Sequence, residues 1–218
     1  IETERADLFD VNMMIAMQFT VMGKATEEEL TEAFLDTVSA FEILNCSIVI
    51  SENGEAYYQD CEKQRNTITF RNFELETLIR EQERVRFRLE EGEFLRCFVD
   101  FTDEDGMKVC LLMHHLGGDG KSLCYFIESF LRRLGGEALS YQKAVFLNGD
   151  SLPEKTKLPF PARLLVRSYN RAWKKERRVF GFEELDEAFT RFWKNHATEV
   201  RVEATESDAL HGKLAECK

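Results

Sequence analysis

The chain has 218 residues, of which 44% are hydrophobic and 32% are charged, and its formal net charge at pH 7 is -11. This length fits one large domain or two small lobes with a substantial core. The acidic balance argues against a general nucleic-acid binder, and no apolar run approaches the roughly 20 residues that a membrane-spanning helix needs.

The N-terminal third of the sequence predicts a long strand followed by a helix. Apolar residues alternate over residues 11–22, which is the period of a strand with one apolar face. Thr26 and Glu29 then match the pattern of a capping box, which begins a helix. The predicted inward positions of this helix recur at helical spacing: Leu30, Phe34, Val38 and Phe41.

Two hairpins are predicted in the middle of the chain, because Asn-Gly and Asp-Gly pairs favour tight turns. Asn53-Gly54 joins residues 43–50 to residues 56–59, and Asp105-Gly106 joins residues 94–101 to residues 107–113. The last of these segments is apolar on both faces, which is typical of a central strand. A weaker strand is predicted over residues 67–70 and a charged helix over residues 73–89.

The last part of the chain predicts helices joined by a loop. A helix from about Lys121 to Leu134 ends at Gly135-Gly136, and residues 147–161, which hold all three prolines, form a connecting loop. Further helices are predicted over residues 161–175 and 182–195 and from Thr205 to the end, with a strand over residues 199–202. The inward side chains expected on the first two of these helices are Leu165, Tyr169, Trp173, Leu185, Phe189 and Phe192.

The six cysteines predict reduced thiols and a cytoplasmic location. None forms a Cys-x-x-Cys pair, and Cys97 and Cys110 lie inside apolar runs, where Cys acts as a small hydrophobe. Neither a disulfide framework nor a zinc site is therefore expected. The N-terminus lacks a basic-then-apolar signal pattern and an initiator Met, so we expect a processed or excised piece.

A pair of histidines and an Asp-Gly pair connect the central strand to the next helix, in the stretch His114-His115-Leu116-Gly117-Gly118-Asp119-Gly120. Strand alternation places the two imidazoles on opposite sides, so we expect them to have different roles. A neutral imidazole can accept a proton from an attacking amine or hydroxyl. Asp119 precedes the helix, where a carboxylate caps free N–H groups. The alternatives are a loop without chemistry and a metal site, although no further ligand at metal spacing accompanies the histidines.

This stretch resembles the HHxxxDG signature of the condensation-domain superfamily. The superfamily includes condensation domains of nonribosomal peptide synthetases, chloramphenicol acetyltransferase and plant-type acyltransferases. Glu91–Arg96 resembles the family's Gly-x-Leu-Leu-Arg strand, and Ser122 lies where these domains often carry Ser. The resemblance implies an α/β two-layer sandwich, a lobe of the chloramphenicol acetyltransferase type with a mixed, largely antiparallel sheet.

The resemblance also implies an acyltransferase or condensation enzyme. His115 would be the catalytic base or would position the nucleophile, His114 and Asp119 would be structural, and Gly120 would keep the thioester path clear. The acyl donor would be acyl-CoA or a phosphopantetheinyl carrier protein, and the acceptor a small-molecule amine or alcohol. No metal and no permanently bound cofactor is implied. The alternative is a non-catalytic domain of the same fold that docks carrier proteins or other partners.

Two features depart from the pattern of the peptide synthetases. Ala40–Asn45 stands where those domains carry Arg-His-Pro-x-Leu-Arg, which favours a stand-alone acyltransferase. The motif lies mid-chain, as in the N-terminal lobe of two-lobed members. We therefore expect residues 1–197 to form the N-terminal lobe and residues 198–218 to begin a truncated C-terminal lobe, which leaves the isolated chain incomplete as an enzyme.

A basic cluster follows the proline-containing loop. We interpret it first as a solvated helix face, which is the common case for such charge runs. The functional alternative is a docking surface for an acidic carrier protein or a coenzyme A phosphate. The residues of the cluster are Arg163, Arg167, Arg171, Lys174, Lys175, Arg177 and Arg178.

Overall fold

A computed structural model describes residues 8, 10–11, 13–52, 54–101, 106–144, 159–176, 181–197 and 199–200. Its strands are β1 (Met14–Met22), β2 (Cys46–Ile50), β3 (Ala56–Asp60), β4 (Thr67–Phe70), β5 (Leu95–Asp100) and β6 (Gly106–His114). Its α-helices are α1 (Glu27–Ala40), α2 (Leu75–Gln82), α3 (Gly120–Leu134), α4 (Phe160–Glu176) and α5 (Phe182–Asn195).

The main sheet has four strands in the order β1-β6-β5-β4. Strand β6 pairs antiparallel with both β1 and β5, whereas β4 pairs parallel with β5. Strands β2 and β3 form the first predicted hairpin as a separate two-stranded sheet. The predictions of a mixed, largely antiparallel sheet and of a central strand after Gly106 are confirmed, and central placement explains why β6 is apolar on both faces.

Helices α1 and α3 pack against each other, and their buried side chains share one core with β5 and β6. The predicted capping box is present, since Thr26 Oγ1 accepts the Glu29 N–H at 3.2 Å and the Glu29 carboxylate accepts the Thr26 N–H at 2.8 Å. Phe34 of α1 meets Phe126 of α3 edge to face, with ring centroids 6.0 Å apart. This layer of helices on a sheet confirms the predicted α/β two-layer sandwich.

The helix predicted over residues 73–89 is wrong in its second half, because α2 ends at Gln82. Arg96 on β5 supplies the reason. Arg96 as a whole is only 4% exposed, and its guanidinium donates to the carbonyl oxygens of Val85 and Arg86, each at 2.9 Å. These carbonyls therefore face β5 instead of continuing the helical hydrogen bonds. A buried arginine 10 or 11 residues away decides where the helix ends.

The predictions of helices over residues 161–175 and 182–195 are confirmed by α4 and α5, but one set of inward side chains is wrong. Leu165 and Tyr169 of α4 are 59% and 69% exposed, and the side chain of Trp173 lies outside the described residues. Helical periodicity predicts an apolar side but not what covers it. On α5 the predicted Leu185 is buried, and so is Trp193, whose indole N–H donates to the Val11 carbonyl at 3.2 Å.

Several predictions fall near or beyond the limits of the described residues. Glu199 and Val200 are not in a strand. Residues 201–218, residues 147–158 of the predicted proline-containing loop, and Asn53 and Asp105 of the two predicted hairpin turns lie outside the described residues. Within the described part of the chain, no helix combines the length and apolarity needed to cross a membrane, and no cluster of three metal-binding side chains occurs. The described cysteines are free thiols: Cys46, Cys61, Cys97, Cys110 and Cys124.

Candidate active site at the end of strand β6

The histidine pair lies where β6 ends and the chain turns toward α3. His114 is the last residue of β6, and a 3-10 turn spans His115–Gly117. The His114 N–H donates to the Phe94 carbonyl at 2.9 Å, and the His115 N–H donates to the Met13 carbonyl at 3.0 Å. Because the two amides are held by segments on opposite sides of β6, the point at which the turn leaves the sheet is fixed.

His114 is a buried and neutral imidazole. Its side chain is 6% exposed, and its Nδ1 accepts the Leu116 N–H at 3.2 Å, which leaves the ring proton on Nε2. Burial lowers the pKa of His114 to about 3, and the electrostatic influence of the neighbouring His115, Arg96 and Arg86 lowers this pKa further. His114 is therefore uncharged near neutral pH, and its Nδ1 holds the backbone of the turn at Leu116.

His115, the next residue along the chain, is exposed. It lies near Asp119, whose carboxylate caps α3 as predicted. Asp119 Oδ1 accepts the Ser122 N–H and the Ser122 hydroxyl, both at 2.8 Å. The pKa of Asp119 is lowered mainly by the backbone hydrogen bond from Ser122, then by the hydroxyl, and further by the nearby His115. Of the two histidines, His115 is the exposed one, and its catalytic role stays a prediction.

The three glycines of the motif meet different surroundings. A Cβ on Gly117 would lie 2.9 Å from the Cβ of Phe94, and one on Gly118 would lie 2.7 Å from the Cβ of Ser122. Gly118 also has a φ of +152°, which side-chain-bearing residues rarely adopt. A Cβ on Gly120 would meet nothing within 4 Å. Close packing excludes a side chain at the first two glycines, whereas a Cβ on Gly120 would face open space.

Two polar side chains that the sequence did not single out hold the backbone in and beside this turn. Tyr58 of β3 donates from its hydroxyl to the Leu116 carbonyl at 2.8 Å. The Asn66 side-chain oxygen accepts the N–H groups of Phe94 and Leu95 at 2.9 and 2.8 Å, which fixes the start of β5. Their partners are backbone atoms that lie 58 and 28–29 residues away, so no local spacing signals either role.

Arg96, the arginine of the Gly-x-Leu-Leu-Arg resemblance, is fully engaged within the protein. Besides the two carbonyls of residues 85 and 86, it contacts both carboxylate oxygens of Glu93, at 2.7 and 3.1 Å, and Gln82 at 3.2 Å. Its guanidinium lies 4.0 Å from the centroid of the Phe87 ring, and that ring meets His114 edge to face at 5.7 Å. Arg96 thus positions the wall that buries His114.

A cleft open to solvent, with an empty volume of about 390 Å³, is lined in part by His114. Leu185 and Phe189 of α5 line part of it. The Asp186 carboxylate holds α5 in place, since it accepts from Arg86 at 2.5 Å and from Arg88 at 2.9 Å. Helix α5, which follows the motif by more than 60 residues, therefore completes the surroundings of His114.

Three solved structures are similar to this chain in fold. The condensation domain of the monacolin K polyketide synthase MokA is 14% identical with a TM-score of 0.55, over 65% of this chain and 35% of that chain. The first condensation domain of the calcium-dependent antibiotic synthetase is 17% identical with a TM-score of 0.54, over 68% and 38%. The SgcC5 protein of Streptomyces globisporus is 19% identical with a TM-score of 0.53, over 65% and 38%.

The chain has the condensation-domain fold. The fold expected from the HHxxxDG resemblance is thereby confirmed. The chain spans between about a third and two fifths of the length of these structures. No protein-family model matches the sequence, and no curated protein matches it either. At these identities the likeness establishes the condensation-domain fold alone, and any argument about activity rests on the residues of the site.

Proposed function

We propose that the chain carries the catalytic histidine of an acyltransferase. The enzyme would move an acyl group from a thioester of coenzyme A or of a phosphopantetheinyl carrier protein to a small-molecule amine or hydroxyl. The observation that supports this function is the division between two adjacent imidazoles. His114 is buried and neutral, whereas His115 is exposed at the end of β6 on a backbone fixed from both sides.

In the proposed reaction His115 is the general base. It accepts the proton of the amine or hydroxyl as that group attacks the thioester carbonyl. The new amide or ester bond forms, the C–S bond breaks, and the released thiolate takes up a proton to leave as the thiol. His114 is unsuited to this step because burial lowers its pKa to about 3 and its Nδ1 already accepts the Leu116 N–H.

Asp119 and Gly120 would support this chemistry without taking part in proton transfer. The Asp119 carboxylate is occupied by the two donors of Ser122, so it orients the start of α3. The space beside Gly120 is open, which suits the approach of a thioester arm next to His115. We expect a second lobe to supply the remaining substrate walls, and residues 1–197 to act as the lobe that bears the histidine.

The test measures thiol release and product formation from a panel of acyl-CoA and acyl-carrier-protein donors with amine and alcohol acceptors. It uses the 218-residue chain and a form extended by its natural sequence. In whichever form is active, His115→Ala should lower transfer by roughly a hundredfold or more, as loss of a general base does. His196→Ala is the matched control, because it removes another exposed histidine that lies at the end of α5.

Two outcomes would contradict the proposal. Transfer that survives His115→Ala at the wild-type rate would show that another group is the base. Carrier-protein binding without transfer from any donor, unchanged by His115→Ala, would favour the alternative of a non-catalytic docking domain. Far-ultraviolet circular dichroism and melting curves of each variant distinguish lost chemistry from lost folding.

A further inference from the structure

Helix α4 presents apolar side chains to solvent along its length. Among the residues that the structure describes, five large apolar side chains of this helix are between 42% and 69% exposed. Exposed apolar groups of this number on one element mark a contact surface more often than a solvated face. The five residues are Phe160, Leu164, Leu165, Val166 and Tyr169.

The same helix lies in the most basic part of an acidic chain. The 24 residues from Lys155 to Arg178 contain nine of the 29 Lys and Arg residues but only one of the 40 Asp and Glu residues. This stretch therefore has a formal charge of +8, while the remainder of the chain has a charge of -19. A charge asymmetry this strong points to a polyanionic partner for the basic stretch.

The cationic and apolar side chains of α4 are largely segregated. At about 100° per residue, one side of the helix is apolar and the opposite side carries arginines. Phe160 and Leu164, in the first two turns, are exceptions because they lie on the same side of the helix as the arginines. The apolar side contains Ala162, Leu165, Val166 and Tyr169, and the cationic side contains Arg163, Arg167 and Arg171.

We propose that α4 is an interfacial helix that binds the surface of an anionic lipid bilayer. Its 17 residues span about 25 Å and carry too many charges to cross the bilayer, so the helix would lie in the plane of the headgroups. The apolar side would enter the acyl boundary, and the arginines would contact the anionic headgroups. A nucleic acid would engage the cations but leave the exposed Leu165 and Tyr169 uncovered. This property is independent of the proposed acyl transfer.

The experiment is flotation of the full 218-residue chain with vesicles of two compositions. One is pure phosphatidylcholine, and the other contains about a third phosphatidylglycerol. We expect binding to the anionic vesicles only, and weaker binding at roughly 0.5 M salt because exposed charges are screened. Arg163→Glu/Arg167→Glu should lower the partition coefficient about thirtyfold or more. Leu165→Ser/Tyr169→Ser should lower it about tenfold or more, since it removes buried apolar contact.

The matched control is Lys24→Glu/Lys63→Glu, which reverses two exposed cations outside α4 and should leave vesicle binding close to the wild-type level. Equal binding to both vesicle types, no binding to anionic vesicles, or binding unaffected by the α4 variants would overturn the proposal. Loss of acidic-carrier-protein binding in the arginine variant, without vesicle binding by the wild type, would assign the helix to protein docking instead. Acyl transfer to water-soluble substrates is measured without vesicles. The membrane-binding proposal and the acyl-transfer proposal can therefore each be refuted without the other.

Discussion

The neutral state of buried His114 predicts that the protein loses stability in mild acid. Burial lowers the pKa of His114 to about 3 from the ordinary value of 6.5 that the unfolded chain regains. Below pH 6.5 the unfolded state therefore binds a proton that the folded state does not. The free energy of unfolding must fall as the pH decreases from about 6.5 toward about 3, and the His114 contribution is fully present only above pH 6.5.

The size of this effect follows from the two pKa values. Between them, each pH unit changes the free energy of unfolding by about 1.4 kcal/mol. From pH 7 to pH 5, the His114 contribution amounts to a loss of about 2 kcal/mol. The conservative variant His114→Asn removes the titration, while its side-chain oxygen can still accept the Leu116 N–H that Nδ1 accepts in the wild type. It should therefore show a shallower acid dependence.

The assay is urea unfolding at several pH values between 5 and 7.5, followed by circular dichroism, on the wild type and the variant. His196→Asn is the control, since it removes an exposed histidine and should keep the wild-type slope. The difference between wild type and His114→Asn isolates the imidazole from carboxylates that titrate in both proteins. Identical slopes for these two proteins would refute the neutral, buried state of His114.

Two further predictions concern the turn itself. Asp119→Ala should lower the free energy of unfolding by about 1 kcal/mol and the melting temperature by a few degrees, because it removes the cap of α3. Asp119→Asn keeps an acceptor for the Ser122 N–H, so its stability should stay close to that of the wild type. An unchanged melting temperature in Asp119→Ala, with transfer lost, would assign the carboxylate a direct role in the chemistry. Gly118→Ala should destabilise the protein by about 1–3 kcal/mol, because φ at this residue is +152° and a Cβ would lie 2.7 Å from that of Ser122. Gly120→Ala should leave stability unchanged or slightly higher, because its methyl would face open space, and it should still lower transfer by narrowing the proposed thioester path. Comparable stability losses of the two glycine variants in thermal unfolding would contradict this prediction.

The sequence predicted the elements that follow from short-range patterns. Alternation over residues 11–22, the Thr26 capping box and the strand pairs on either side of the two predicted hairpin turns all correspond to elements of the structure. The sequence-based prediction failed where the end of an element depends on a buried side chain that lies far along the chain. The end of α2 depends on Arg96, which takes the carbonyls of Val85 and Arg86 that a longer helix would have used. No periodicity over residues 73–89 contains that information.

The candidate site shows the same division. The separate environments of the two histidines and the capping role of Asp119 were predictable, since both depend on strand alternation and on the position before a helix. Tyr58 and Asn66 were not predictable, because their side chains bond backbone atoms of remote segments. The exposure of the apolar side of α4 was also not predicted, because an apolar stripe indicates that a helix makes a contact but not which surface it contacts.

Strand register connects the fold to the proposed chemistry. In the antiparallel pairing of β1 with β6, Met14 lies opposite His114, and the next residue, His115, has its N–H held by the Met13 carbonyl. A shift of β6 by one residue would reverse every side chain, exposing His114 and burying His115. The side chains from Val109 to His114 are all buried in a strand that pairs with β1 and β5, so such a shift would also exchange side chains of different shape between the two packed faces and disrupt the core. The register and packing of the central strand therefore determine which of the two imidazoles is exposed.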